Sequence, residues 1–136
     1  MPFVLDASVA LSWHFDDEVS PYAERVLDML SADSALVPSI CPLEVANGLT
    51  LVERRGRITP ARFTRALELS LDLPLTVVDV SLEKVLGLLV ELAKEHRLTV
   101  YDAAYLEFAI REGLPLATQD DDLVAAAKRV GLPELA

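Results

Sequence analysis

The chain has 136 residues, 52% of them hydrophobic, which suits one domain with a buried core that needs no disulfide or structural metal. Its single cysteine, Cys41, excludes an intramolecular disulfide and favours a reducing compartment, so we expect one domain over residues 1–136 in the cytoplasm. The net charge of −10 argues against a broadly basic surface for nucleic acid. A carboxylate cluster that binds divalent metals would account for part of this negative charge.

The first half of the chain alternates short apolar runs with helical segments. The predicted elements are, in chain order, a strand over Pro2–Leu5, a helix over Ser8–Trp13, a helix from Pro21, a strand over Ala35–Val37, and a helix from Pro42 to Gly56. Ser20 followed by Pro21 is a favourable helix start, because serine caps the free N–H groups and proline fits the first helical position.

The second half continues the same alternation. Its predicted elements are a helix from Thr59-Pro60 to about Leu71, a strand over Leu75–Val78, a helix capped by Ser81, a helix over Asp102–Arg111, a strand over Pro115–Thr118 and a helix over Leu123–Val130. The residues expected to face inward on the helix after Ser81 are Leu82, Val85, Leu88, Leu89 and Leu92. The pattern is typical of an α/β protein with a mainly parallel sheet, and no apolar run is long enough to span a bilayer.

Four acidic residues stand out by their positions. Asp6 follows the first strand, Glu44 lies in the first turn of the helix after the second strand, Asp102 opens a helix, and Asp120 follows the fourth strand. Ligands of open parallel sheets bind where strands end and helices begin, so these carboxylates are expected to meet at one edge. Each acid taken alone is also explained by helix capping or the helix dipole.

A shared carboxylate pocket indicates divalent-metal chemistry. Carboxylates held close together repel one another strongly at low dielectric, and a divalent cation relieves the repulsion. Mg²⁺ and Mn²⁺ prefer oxygen ligands, and they activate water and stabilise the charged oxygens of phosphodiester cleavage. Such chemistry needs no histidine, and His14 and His96 have no ligand spacing with each other or with Cys41.

Four short motifs resemble those of PIN-domain ribonucleases, in particular the VapC toxins of bacterial and archaeal toxin–antitoxin pairs. The segments that carry the resemblance are Val4–Ser8, Pro42–Asn47, Tyr101–Tyr105 and Leu116–Asp120 with Leu123. Each motif alone is weak evidence. Together they occur in the family's order and span nearly the whole chain, so the resemblance is specific.

The resemblance implies a three-layer α/β/α fold and Mg²⁺- or Mn²⁺-dependent endonucleolytic cleavage of RNA. It also implies that Asp6, Glu44, Asp102 and Asp120 form the acidic site, that Ser8 orients an acid or a metal-bound water, and that Thr118 does the same. Homodimerisation and inhibition by a cognate antitoxin protein are further implications.

Several other residues are weighed against simpler roles. Asn47 shares a helix face with Glu44 and either supports the site or packs between helices. Asp122 follows Asp120 closely enough to assist it. Arg54, Arg55 and Arg57 begin a stretch that holds five of the twelve Lys and Arg residues. This stretch either contacts RNA, is a solvated turn between helices, or contacts the antitoxin.

Three rival functions remain open. An aspartyl-nucleophile phosphatase requires a second aspartate two residues after the first, where this chain has Ser8. A phospho-accepting receiver requires a lysine near the last strand, and none lies between Lys94 and Lys128. A PIN-like module that only binds a partner is the third alternative, although all four acids are present.

Overall fold

The computed structural model describes residues 1–135, in which helices flank a four-stranded, all-parallel sheet. The strands are β1 (Phe3–Leu5), β2 (Ala35–Pro38), β3 (Leu75–Val78) and β4 (Leu116–Ala117), in the order β3-β2-β1-β4. The helices are α1 (Ala7–Ser12), α2 (Pro21–Met29), α3 (Ile40–Arg54), α4 (Pro60–Leu71), α5 (Leu82–Lys84), a π-helical segment (Val85–Leu89), α6 (Val90–His96), α7 (Val100–Glu112) and α8 (Asp121–Arg129). The predicted α/β class with a parallel sheet is therefore confirmed.

The central position of β1 explains its composition. Phe3, Val4 and Leu5 have no exposed surface, as expected for a strand that is covered on both faces. Val4 is in register with Leu36 of β2 on one side and Leu116 of β4 on the other. Because all strands run the same way, the residues that follow them emerge at one edge of the sheet.

Local signals place several helix ends where the sequence predicts them. Ser20 Oγ accepts a hydrogen bond from the Ala23 N–H at 3.1 Å, and Thr59 Oγ1 accepts one from the Arg62 N–H at 3.1 Å. Gly113 ends α7 in the left-handed conformation, with φ of 66°. These caps satisfy backbone groups that the helices cannot pair internally.

Two details of the sequence prediction are wrong. Helix α3 begins at Ile40, directly after β2, so Glu44 lies in the second helical turn instead of the first. The helix after Ser81 contains a π-helical segment, and Leu82 and Leu88 are 69% and 44% exposed although both were expected to face inward. A π turn inserts a residue into the helical repeat, so positions three or four apart no longer share one face.

The close packing of α1 on α3 prepares one side of the pocket described below. A Cβ atom on Gly48 would lie 2.7 Å from Leu11 Cδ1, so glycine permits the two helices to approach. This contact brings the start of α1 close to the first half of α3. In the described part of the chain, no helix has the length and apolar character needed to cross a membrane.

Candidate functional site

The four acids predicted from the sequence line one pocket of about 290 Å³ at the carboxyl ends of the strands. They come from the residue after β1, from α3, from the first turn of α7 and from the start of α8. The complete lining consists of Asp6, Ala7, Ser8, Leu11, Glu44, Asn47, Gly48, Asp102 and Asp120. Segments far apart in sequence thus supply one acidic cavity.

Asp6 is held by two hydroxyl groups at the base of this pocket. Its side chain is buried, and Oδ2 accepts hydrogen bonds from Ser8 Oγ and Thr118 Oγ1, both at 2.7 Å. Burial raises the pKa of Asp6, the two hydroxyl donors oppose that rise, and the charge of Asp120 adds to it. Asp6 makes no side-chain capping bond to α1, so helix capping does not explain this residue.

Glu44 is held by a tyrosine that the sequence analysis did not assign. Tyr105 is fully buried, and its hydroxyl donates to Glu44 Oε1 at 2.8 Å while accepting the Ala7 N–H at 3.3 Å. Burial raises the pKa of Glu44, and the charges of Asp6 and Asp102 raise it further against the effect of the tyrosine. The available signal was the spacing of Tyr105, three residues after Asp102 on one face of α7.

Asp102 and Asp120 are fixed by the helix ends on which they lie. Thr99 Oγ1 accepts the Asp102 N–H at 3.0 Å, which fixes the first turn of α7. Burial raises the pKa of Asp102, and the nearby charges of Asp120 and Asp6 raise it further. Asp120 caps α8, because its Oδ1 accepts the Leu123 N–H at 2.9 Å, so the capping explanation does hold for one of its oxygens.

Thr118 connects the two ends of the acidic pocket. Its hydroxyl donates to Asp6 and accepts the Asp120 N–H at 3.1 Å, and its own backbone N–H donates to the Tyr22 hydroxyl at 3.1 Å. The Gln119 N–H donates to Ser8 Oγ at 3.3 Å. The two hydroxyl residues predicted to support the acids therefore do contact Asp6, whereas the contact of Tyr22 was not anticipated.

The donor set fits a hydrated Mg²⁺ or Mn²⁺ ion. Within residues 1–135, no three His, Cys, Asp or Glu side chains are arranged so that they could hold a bare ion between them. Burial, with a smaller contribution from mutual repulsion, raises the pKa of three acids in this pocket. The protein's hydroxyl donors occupy Asp6 Oδ2 and Glu44 Oε1 and leave the other oxygen of each. Mg²⁺ keeps several waters and needs only one or two direct carboxylate ligands, so these oxygens suit it.

The remaining predicted residues lie at increasing distance from the pocket. Asn47 lines it, as its position on the face of Glu44 suggested. Asp122 is exposed and lies outside the lining, although its charge contributes to the raised pKa of Asp102. Arg54 and Arg55 are at the other end of α3, about 15 Å along the helix axis from Glu44.

Comparison with known proteins identifies the family. The PIN domain model matches residues 3–129. A protein named ribonuclease VapC3, from Pyrobaculum aerophilum, is 32% identical over 123 residues, which are 90% of this chain and 92% of that protein. Exonuclease VapC9 of the same organism is 31% identical over 128 residues, 93% of this chain and 86% of its own.

Solved structures agree with this assignment. A Pyrobaculum aerophilum protein has a TM-score of 0.70 and 26% identity, over 93% of this chain and 84% of its own. VapBC2 from Rickettsia felis, solved with a promoter DNA fragment, has a TM-score of 0.66 over 100% and 98% of the two chains. The sarcin–ricin loop cleaving toxin VapC20 of Mycobacterium tuberculosis has a TM-score of 0.65 over 99% of this chain and 98% of its own. At 18% identity the last two bear on the fold alone. The chain belongs to the PIN-domain family, among its VapC members.

Proposed function

We propose that this protein is a Mg²⁺- or Mn²⁺-dependent endoribonuclease and the toxin of a toxin–antitoxin pair. The observation that carries the proposal is the gathering of Asp6, Glu44, Asp102 and Asp120 in one pocket with oxygen donors only. The relatives add weight, since one is named a ribonuclease and another an exonuclease. An antitoxin is proposed as partner because the chain's relatives are VapC proteins and its motifs resemble those of VapC toxins.

The chain's own residues prepare the pocket for a phosphodiester and an ion. A bound divalent cation would act as a Lewis acid that activates water and neutralises phosphate charge. Ser8 and Thr118 hold Asp6 in one orientation, and Tyr105 does the same for Glu44, so the free carboxylate oxygens are already directed. The amide of Asn47 can donate to phosphate without adding negative charge.

Cleavage of a purified RNA tests the proposal. The unmodified chain should cut single-stranded RNA in Mg²⁺ and should be inactive in EDTA. Asp6→Asn and Asp102→Asn should each remove the activity, because each takes one charge from the acid cluster. Asp28→Asn, at an exposed position on α2, is the matched control and should cut normally.

Two further measurements define the type of activity and its biological role. A circular RNA substrate separates endonucleolytic cleavage, which opens the circle, from exonucleolytic cleavage, which does not. Expression of the unmodified chain should slow bacterial growth, Asp6→Asn should not, and co-expression of the cognate antitoxin should restore growth. Absence of cleavage under all these conditions would favour a PIN-like module that only binds a partner.

The remaining expectations belong to the same proposal. We infer one domain over residues 1–136, a cytoplasmic location, a homodimer, and an RNA substrate held partly by Arg54, Arg55 and Arg57. Their test is direct, because solution mass shows the oligomeric state and substitution of the three arginines shows their share in RNA binding.

A further inference from the structure

We propose that a second pocket, which we name the basic pocket, binds a phosphate of the RNA strand beside the bond that is cut. It has a volume of about 290 Å³ and is lined by Glu95, His96, Arg97, Asp122, Ala125 and Arg129. Its two arginines are the proposed phosphate ligands. This inference rests on the proposed ribonuclease function and adds to it the place where the substrate backbone is held.

The basic pocket lies beside the acidic one. Asp120 lines the acidic pocket, and Asp122, two residues later in the first turn of α8, lines the basic pocket. The turn that carries Arg97 continues into Thr99, which caps α7 and fixes the backbone of Asp102. A strand that places one phosphate among the four acids would therefore pass the basic pocket with a neighbouring phosphate.

The two arginines are available for an anion. Within residues 1–135, neither Arg97 nor Arg129 has a carboxylate oxygen within 4.0 Å, although Glu95 and Asp122 line the same pocket. Arg129 Nε instead lies 3.4 Å from His96 Nδ1, which orients the guanidinium group. A planar guanidinium presents several N–H donors that match the oxygens of a phosphate.

The arginine stretch predicted from the sequence is less available. Arg57 lies 3.6 Å from Asp17, Arg62 lies 3.6 Å from Asp16, and Arg65 lies 3.4 Å from Glu68. Three of its five members therefore already face a carboxylate. Geometry thus favours the basic pocket over that stretch as the main contact for RNA phosphates close to the acids.

The backbone of Arg97 supplies independent support. Its φ of 56° makes it the one non-glycine residue with positive φ in the described part of the chain. The equivalent end of α7 has Gly113, which adopts this conformation without steric cost. Attraction to a helix C-terminus explains a cation such as Lys94 in the last turn of α6, but it does not require a strained arginine after that turn. Strain of this kind is typical of functional positions.

The test measures RNA binding separately from cleavage. All proteins carry Asp6→Asn to prevent cutting, and a short fluorescent single-stranded RNA is titrated in Mg²⁺ at several salt concentrations. The test variant is Arg97→Gly with Arg129→Gln. The control variant, Arg62→Gln with Arg65→Gln, removes the same charge from α4, where Arg62 faces Asp16 and Arg65 faces Glu68.

The test variant should bind RNA about tenfold more weakly or worse. The slope of log K against log salt concentration should become shallower by about 1.4, because each of the two lost phosphate contacts contributes roughly 0.7 to that slope. The control variant should stay within about threefold of the parent protein, because both of its arginines already face carboxylates. Arg97→Gly alone should melt at the same temperature or higher, since glycine relieves the strained φ. The melting temperature of the double test variant should lie well above the temperature of the titration, which excludes unfolding as the cause of weaker binding.

Two results would overturn the inference. One is unchanged RNA affinity and salt dependence in the test variant while the unmodified chain cuts RNA in Mg²⁺, which rejects the basic pocket and leaves the ribonuclease intact. The other is an equal loss of RNA affinity in the test and control variants, which would show that only the overall charge of the protein matters. If the unmodified chain neither binds nor cuts RNA, the proposed function fails and the basic pocket fails with it.

Discussion

Replacement of Thr118 by valine should weaken the acidic pocket while preserving its shape. Valine keeps the branched side chain but loses the hydroxyl that donates to Asp6 at 2.7 Å and accepts the Asp120 N–H at 3.1 Å. Loss of a hydrogen bond to a buried carboxylate costs about 1.5–3 kcal/mol, and the freed Asp120 N–H adds about 1 kcal/mol because water reaches it only partly. We therefore expect the free energy of unfolding without metal to fall by about 2.5–4 kcal/mol, which corresponds to roughly 10 °C in melting temperature.

The same substitution should reduce metal affinity. Side chains that orient a ligating carboxylate typically account for about 10–100-fold in metal affinity, and Ser8 alone would remain to hold Asp6. Thermal melting in EDTA measures the first effect, and calorimetric titration with Mn²⁺ measures the second. Thr50→Val is the control, because that hydroxyl bonds only to the Ala46 carbonyl within α3. Wild-type Mn²⁺ affinity in Thr118→Val would refute the idea that this hydroxyl prepares Asp6 for an ion.

Two other changes test the pocket from different sides. Tyr105→Phe removes the hydroxyl that holds Glu44, so it should lower the free energy of unfolding by about 1–2 kcal/mol and the Mn²⁺ affinity by about tenfold. The control Tyr101→Phe, at an exposed position, should change neither quantity. Equal melting temperatures of the two variants would contradict this role of Tyr105. Asp102→Asn should alter the pH dependence of stability in EDTA. Burial and repulsion raise the pKa of Asp6, Glu44 and Asp102 in the folded protein. The stabilisation from their protonated forms is therefore complete below the pKa values of the unfolded chain and is lost as pH rises through the pKa values of the folded protein. Denaturant titrations from about pH 4 upward should therefore show a smaller loss of stability in Asp102→Asn than in the unmodified chain, and a steeper loss would count against carboxylate repulsion.

Features with local physical causes could be predicted from the sequence. The caps at Ser20 and Thr59 act within three residues of themselves, so their signals survive without tertiary information. The apolar run of β1 predicts a strand covered on both faces, and the acids at the strand ends follow from the geometry of parallel sheets. These signals are sufficient to predict that Asp6 and Asp120 lie at the same edge of the sheet.

Features that depend on distant partners could not be predicted in this way. The hydroxyl of Tyr105 contacts Glu44 across 61 positions of the chain. Its spacing from Asp102 places Tyr105 on the same face of α7 but does not identify Glu44 as its partner. The exposed Leu82 and Leu88 satisfy a helical pattern that a π segment interrupts. Sequence also made the clustered arginines after Arg54 conspicuous, whereas Arg97 and Arg129 meet only in the folded chain.

The most direct test of the central claim is the position of a bound metal ion. Crystals soaked with Mn²⁺ should give an anomalous scattering peak in contact with a carboxylate oxygen of Asp6 and of at least one other acid of the pocket, and Asp6→Asn crystals should give none there. An ion bound only elsewhere, together with full RNA cleavage by protein stripped of metal, would contradict the account.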